Sequence, residues 1–446
     1  VSLSAGPSRS RKLSPVVFRI TSYDLQVTPL RLLWAKSGPL VPLDTGGKIR
    51  SFNLLKELAR RHEVTLFTFY AEQPDDTHAA LAQYFHRVIA LPFPIPDAGS
   101  AGDYFNYAKN LFSTRPYSMS KYCKPWVAEK LREHLRDHTY DVIICDFLLT
   151  AAVIPWGTPA PVVLFTHNVE AVIWRRHFEV SRNPIWKAVS WREWYLIDQF
   201  ERRTLARADS VLTVSEHDKR IFSRFIAPAK ITVVQTGVDL DYFHPSAEPE
   251  QAQRLVFTGS MDWMANEDAI FYFVEEMFPL VRREIPDAEL WVVGRKPSDQ
   301  LKALATASSG VHVTGTVDDI RPYVWQSAVY VVPLRIGGGT RIKIFEALGM
   351  GKAVVSTTIG AEGLPVTHGE HLILADTPGD FARETVRLMR DPAARARLGS
   401  SARALLEQHY GWAAVAEDFS RVLALTVESY AARRRSTSPD PVPARP

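Results

Sequence analysis

Short apolar runs alternate with longer amphipathic ones from about residue 30 to residue 430. Leu30–Ala35, apolar except for Arg31, predicts a strand. Lys48–Arg61 carries Ile49, Phe52, Leu55 and Leu58 on one stripe and predicts a helix with one buried face. Val64–Phe69 returns to strand composition. Further strands are predicted at Val88–Leu91, Val142–Cys145, Val162–Phe165, Val211–Val214 and Ile231–Val234. The second half repeats the rhythm at Leu255–Thr258, Leu290–Val293, Val311–Thr314, Val329–Leu334, Ala353–Ser356 and Leu372–Ala375. Strand–helix alternation of this kind predicts an α/β fold, with parallel sheets covered by helices on both faces. So many strands overfill one ordinary open sheet, and two doubly wound domains are the economical solution.

The segment Pro245–Gln253 is polar and proline-punctuated, without helical or strand period, and predicts the boundary between domains at 30–245 and 246–411. The amphipathic run from Trp412 to Tyr430, taken as 412–432, is expected to cross back onto the first domain. Residues 1–29 read as a peripheral extension: Val1–Ser14 is Ser/Arg-rich and lacks the apolar segment and small-residue cleavage site of a signal peptide. Residues 433–446 begin Arg433-Arg434-Arg435, then carry four prolines in eleven residues, and read as a disordered tail.

Composition narrows the function classes. Of 446 residues, 46% are hydrophobic and 23% charged, so the chain can bury sizeable cores. The net charge of +4 is mild; it suits an anionic ligand or an anionic membrane surface. No RNP motif, zinc finger or long basic helix points to nucleic acid. Cys123 and Cys145 are too few for a disulfide framework and fit a reducing, cytoplasmic compartment. No apolar run approaches the roughly 18 residues of a transmembrane helix.

The densest chemical signal runs from Pro333 to Gly349. It follows the strand at Val329 and holds Arg335, then Gly337-Gly338-Gly339-Thr340-Arg341, then Lys343 and Glu346. Three glycines leave backbone N–H groups open to close approach. Thr340 suits an N-cap, and a helix starting at Arg341 would aim its N-terminal dipole at an anion. Cations at 341 and 343 oppose that dipole unless an anion is present. Glu346 is placed to accept two hydroxyls of a ribose. The plainer alternative is a glycine turn with solvated basic side chains. The segment is neither a P-loop nor a Gly-x-Gly-x-x-Gly fingerprint.

This segment, with Ala353-Val-Val-Ser-Thr357 and Gly360-Ala-Glu362-Gly363-Leu364 after it, resembles the donor-binding signature of family 4 glycosyltransferases of the GT-B fold. Gly46-Gly47-Lys48-Ile49-Arg50 resembles the family's N-terminal glycine loop, and Thr166-His167-Asn168 its active-site histidine segment. Gln235–Asp239 with Phe243-His244-Pro245, Val293-Gly294 and Thr314-Gly315 are similar to later landmarks. The likeness covers most of the chain and implies two Rossmann-like domains around a cleft, and a retaining transfer of sugar from a nucleotide diphosphate donor to a saccharide or lipid-linked acceptor, without metal or cofactor. It implies catalytic roles for His167, Arg341 and Lys343. It implies donor contacts from Gly46, Gly47, Gly294, Arg335, Gly337, Gly338, Gly339, Thr340 and Glu346. Two departures stand out. The first of the family's paired glutamates falls on Gly338, and Gly259–Trp263 lacks the Arg and Lys that many members carry for the diphosphate. Arg341 and Lys343 are expected to supply that charge.

Weaker signals are double-edged. A lone His167 is ordinarily a satisfied core or surface residue; only the resemblance makes it functional. Glu170 can serve as a mere cap or pair. Gly46-Gly47 alone reads as a tight turn with exposed cations. Trp186, Trp191, Trp194 and Tyr195 interleave with Lys187, Arg192, Arg202 and Arg203. They read as a membrane-contact surface or, as the favoured alternative, a long helix with its tryptophans packed inward. Asp318-Asp319 is assigned no metal. A sugar-nucleotide epimerase, a phosphorylase and a non-catalytic nucleotide-sugar-binding subunit remain alternatives on the same architecture.

Overall fold

The computed structural model describes residues 28–43, 45–71, 78–95, 100–181, 183–336 and 342–437. Within them the first half builds β1 (Arg31–Ser37), β2 (Glu63–Ala71), β3 (Arg87–Phe93), β4 (Val142–Asp146), β5 (Val162–Phe165), β6 (Ser210–Thr213) and β7 (Ile231–Val233). These pair in parallel in the order β3-β2-β1-β4-β5-β6-β7. The second half builds β8 (Gln251–Thr258), β9 (Glu289–Val293), β10 (Val311–Gly315), β11 (Ser327–Val332), β12 (Ala353–Ser356) and β13 (Ile373–Leu374), ordered β10-β9-β8-β11-β12-β13, again all parallel. Each coincides with one of the apolar runs. The reason is visible in β1, where Leu32, Leu33, Trp34 and Ala35 are all fully buried. A parallel strand covered on both faces has no polar side to alternate with.

The first domain carries α1 (Gly46–Leu58), α2 (Ala101–Asn110), α3 (Tyr117–Tyr122), α4 (Pro125–Asp137), α5 (Glu170–Val180), α6 (Pro184–Arg207) and α7 (Glu216–Phe222). The second carries α8 (Met264–Tyr272), α9 (Phe278–Glu284), α10 (Asp299–Ala307), α11 (Arg321–Trp325), α12 (Ile342–Gly349), α13 (Pro378–Arg390) and α14 (Pro392–His409), followed by α15 (Trp412–Thr437). Local chemistry sets several starts. Asn183 caps α6 by accepting from the N–H groups of Ile185 and Trp186, with Pro184 at the first helical position.

Two boundaries and one packed face differ from expectation. Gln251–Gln253 belong to β8: the Gln251 N–H bonds to the Gln326 carbonyl at 2.8 Å, and ladder pairing outweighs the polar composition. The final helix continues through 433–437, where Arg433 pairs with Asp209 at 3.0 Å. The tryptophans of α6 are not packed inward as a set. Its inner stripe is filled by Ser190, Glu193, Ile197, Glu201 and Thr204, which leaves Trp191 and Tyr195, one turn apart, 53% and 55% exposed. Trp194 alone is sheltered, stacked on Phe178.

Core packing explains the return of the chain. Trp412, Val415, Ala416, Phe419 and Leu423 of α15 join the same buried cluster as Leu32, Trp34 and Leu54 of the first domain. Phe419 stacks on Trp34 at 5.7 Å between ring centroids and meets Phe165 edge-on. The Val238 N–H bonds to the Tyr410 carbonyl at 2.8 Å, so the two strands of chain that connect the domains run side by side. Strand order reverses between β1 and β4 in one sheet and between β8 and β11 in the other. Ligands of open parallel sheets collect outside the carboxyl ends at such points.

Candidate functional site

The carboxyl ends of β1, β4 and β5 open on a cavity of about 420 Å³ lined by Lys36, Ser37, Gly46, Gly47, Lys48, Arg50, Phe147, His167 and Asn168. Ile342, the first residue of α12, completes the lining from the second domain. A Cβ on Gly46 would stand 3.0 Å from the Ile342 side chain, so the two domains meet at this point.

A buried polar network underlies the cavity. β1 and β4 pair in a register that sets Lys36 opposite Asp146. Lys36 Nζ lies 3.2 Å from Asp146 Oδ2, and the same oxygen accepts from Ser51 at 2.7 Å and from the Trp34 indole at 2.9 Å. Asp146 Oδ1 is 2.6 Å from His167 Nε2. His167 Nδ1 is 3.0 Å from Arg50 Nη1, and Arg50 also donates to Thr236. Guanidinium has no acceptor atom, so Nδ1 must accept and Nε2 must carry the hydrogen given to Asp146. Burial pushes His167 down to about 4, against the upward pull of Asp146. The ring is therefore neutral at pH 7. Burial alone would raise the Asp146 carboxyl, but Lys36, His167 and Ser51 outweigh it and hold it well below the usual range.

This geometry redefines His167. Both ring nitrogens are bonded to protein and the residue is 3% exposed, so neither nitrogen is presented to a ligand in this arrangement. What His167 offers the cavity is position. Phe147 lies flat against it, with centroids 3.9 Å apart and planes within 7°, and Lys36 Nζ sits 4.3 Å from the Phe147 centroid. Phe147 holds this place at φ +70°, a region disfavoured for a side chain with a Cβ. Gly47 makes room for it: a Cβ there would fall 2.6 Å from the tip of the Phe147 ring. Arg50, which the plainer reading of the Gly46-Gly47 turn leaves exposed, is buried, and its Nε has no hydrogen-bond partner among the described residues.

Gly337, Gly338, Gly339, Thr340 and Arg341 lie outside the described residues. The flanking residues are placed. Lys343 bonds to Asn266 at 2.7 Å and lies 4.0 Å from the Phe257 ring centroid, at the end of β8. Glu346 is half-buried, and its carboxylate has no hydrogen bond or ion pair among the described residues; burial raises it to about 7, with Lys343 opposing. Arg335 is turned onto α8 in a two-pronged pair with Asp268, at 2.6 and 3.1 Å, over the Tyr272 ring. Its charge is thus met by the protein. Gly294 is required by close packing, since a Cβ would fall 1.7 Å from the Gly259 carbonyl oxygen. Asp319 is held by Arg321, and among the described residues no group of three or more His, Cys, Asp or Glu could hold a metal ion.

Sequence reasoning passed over Lys36, Asp146, Phe147 and Arg295. A signal for the first two existed: Lys36 and Asp146 directly follow the apolar runs Leu32–Ala35 and Val142–Cys145. Arg295 directly follows the Gly294 landmark.

Comparison with known proteins bears on this cleft. Residues 45–242 match the family described as Glycosyltransferase Family 4, and residues 252–391 that described as Glycosyl transferases group 1. The chain is 22% identical over 386 residues to an uncharacterized 44.6 kDa protein in the cps region of Klebsiella pneumoniae, covering 83% of this chain and 93% of that one. It is 28% identical over 202 residues to phosphatidyl-myo-inositol mannosyltransferase of Mycobacterium tuberculosis, spanning 42% of this chain and 52% of that enzyme. Among solved structures, sucrose-phosphate synthase of Thermosynechococcus elongatus superposes with a TM-score of 0.64 at 18% identity, over 92% of this chain and all of that one. Anabaena HepE in complex with UDP superposes with a TM-score of 0.61 at 15% identity, over 89% of this chain and all of that one. With both halves matched and two parallel-sheet domains facing a common cleft, the chain belongs to the family 4, group 1 glycosyltransferases of GT-B fold.

Proposed function

We propose that this glycosyltransferase moves a sugar from a nucleotide diphosphate donor to a saccharide or lipid-linked acceptor hydroxyl, with retention of anomeric configuration, in cell-envelope polysaccharide or glycolipid synthesis. The observation that carries the reading is the interdomain cavity. There the N-terminus of α1, opened by Gly46-Gly47 and followed by Lys48, meets Ile342, the first residue of α12, the helix that also carries Lys343 and Glu346. Free N–H groups and cations suit a diphosphate, and an unpaired carboxylate suits ribose hydroxyls. The printed roles of relatives favour the same chemistry: one is a phosphatidyl-myo-inositol mannosyltransferase, and HepE has been solved with UDP and glucose.

In the proposed reaction the donor nucleotide lies on the second domain and the acceptor enters across the first. Lys48, Lys343 and the amides at the start of α1 stabilise charge on the departing diphosphate, without a metal or cofactor. Among the described residues no carboxylate lines the cavity, and Asp146 beneath it is fully engaged. That favours retention without a protein nucleophile, the leaving phosphate oxygen taking the acceptor's proton. Contact between Ile342 and Gly46 supports a closed form that excludes water.

A membrane-facing role draws on a second observation. Phe112 (95% exposed), Tyr104, Phe105, Ile185 (76%) and Trp186 stand on α2, the turn after it and the start of α6. Arg192 ties these segments together by donating to the carbonyls of Asn110 and Ser113. Lys109 lies over Phe105, and Lys187 flanks Trp186. Aromatic side chains with interleaved lysines suit the headgroup layer of an anionic, cytoplasmic membrane face. No helix among the described residues is long and apolar enough to cross a membrane.

The test is a panel of labelled UDP-, GDP- and ADP-sugars with envelope glycolipid acceptors. Transfer with unchanged anomeric configuration by NMR is expected. Inversion at the sugar's second carbon identifies an epimerase, and binding without turnover a non-catalytic subunit. Sedimentation with phosphatidylglycerol vesicles, lost in Phe112→Ser/Trp186→Ser and absent with phosphatidylcholine, checks the membrane face.

A further inference from the structure

The loops beyond β8 and β9 run side by side. The Gly259 N–H donates to the Val293 carbonyl at 3.0 Å and the Met261 N–H to the Arg295 carbonyl at 2.9 Å. The bare flank of Gly294 lets the two chains touch. This pairing brings the Arg295 side chain across, where its Nε donates to Ser260 Oγ at 2.8 Å. Lys343 approaches the same turn from α12: a Cβ on Gly259 would stand 2.7 Å from its Nζ. A guanidinium from the loop after β9 and an ammonium from α12 therefore gather at the Gly259-Ser260 turn that ends β8. The turn itself, Gly259 to Trp263, holds no cation. Its one acid, Asp262, accepts from Ser260, pairs with Lys296 at 3.4 Å and also feels the Arg295 charge. Arg335 is held by Asp268. The position is the carboxyl end of a strand beside the reversal of strand order, where ligands of such sheets bind.

We infer that Arg295, carried on the loop after β9, is a donor-binding residue that grips the diphosphate of the nucleotide sugar together with Lys343. It does the work of the cation missing from the loop after β8. The inference rests on the glycosyl-transfer reading and adds to it a residue and a loop. A guanidinium suits the task because its planar fork matches two phosphate oxygens at once. The Ser260 bond at Nε fixes the plane of the fork, and Gly294 lets its loop lie close enough to reach.

Isothermal titration of the full chain with UDP, GDP and ADP, followed by donor kinetics, tests this. For the diphosphate the wild type prefers, Arg295→Ala is expected to bind on the order of tenfold or more weakly, the loss of a charge-assisted hydrogen bond. Donor KM should rise more than kcat falls, and the melting temperature should stay the same. Added guanidinium should restore part of the affinity, and Arg295→Lys should retain part of it; a merely structural arginine would give neither response. Arg295→Gln, which keeps an N–H donor but no charge, carries the comparison if the alanine variant does not fold. A diphosphate bound equally by wild type and by the charge-removing variants overturns the assignment and leaves the transfer reading intact. A wild type that binds none of the three overturns both.

Discussion

A buried charge is stable only with its partner, and Asp146 shows the consequence. It sits at zero exposure between Lys36, Ser51, Trp34 and His167. Asp146→Ala leaves Lys36, itself 2% exposed, without a counter-charge. The expected loss of stability is about 3–5 kcal/mol, measured by urea denaturation. Gly47→Ala is smaller in chemistry but aimed at the site. Its methyl group meets Phe147, which cannot retreat because it lies against His167. A cost of about 1–3 kcal/mol is expected, with activity falling further than the melting temperature suggests. Glu346 gives a pH signature. Burial lifts its carboxyl to about 7, and the ionised form is the better acceptor for ribose hydroxyls. Donor affinity should weaken as pH falls through 7, and Glu346→Gln should flatten that dependence.

The start of α5 illustrates how elements are held by distant ones. No side chain of its own caps it; Glu201, from the last third of α6, accepts from the Glu170 N–H at 2.9 Å. Burial raises the Glu201 carboxyl to about 8, with the neighbouring Glu170 adding to the rise. An unfolded glutamate ionises near pH 4.3. The folded protein thus keeps this proton longer, so stability falls as pH rises from about 4.3 to about 8. Glu201→Gln retains an oxygen for the cap and removes the ionisation. It should be more stable than the wild type at pH 8 and show a shallower slope in thermal melts across that window. The exposed face of α6 follows from geometry. In 24 residues the inner stripe repeats faithfully, and side chains half a turn away have nothing to pack against.

At the scale of the molecule, the last helix makes two domains into one folding unit. Phe419 is fully buried against Trp34 and Phe165, more than 250 residues away in sequence. Phe419→Ala should cost about 3–5 kcal/mol and lower the unfolding transition of the first domain, although the substitution lies at the far end of the chain. Differential scanning calorimetry checks this.

Much of the architecture was legible before any coordinates. Strands buried on both faces are continuous apolar runs, and their alternation with amphipathic stretches declared parallel sheets. The Gly46-Gly47 pair after β1 marked one wall of the interdomain cavity. The network beneath the cavity left only separate traces: His167 and Arg50 in segments marked by resemblance, Lys36 and Asp146 as polar residues after apolar runs. That the four meet, across separations of up to 131 residues, follows from strand register and helix packing. The tautomer of His167, the engagement of Arg335 by Asp268 and the arrival of Arg295 beside Ser260 were likewise decided only by folding. Periodicity records which side of a strand or helix is dry; which charges meet there depends on how the elements are stacked.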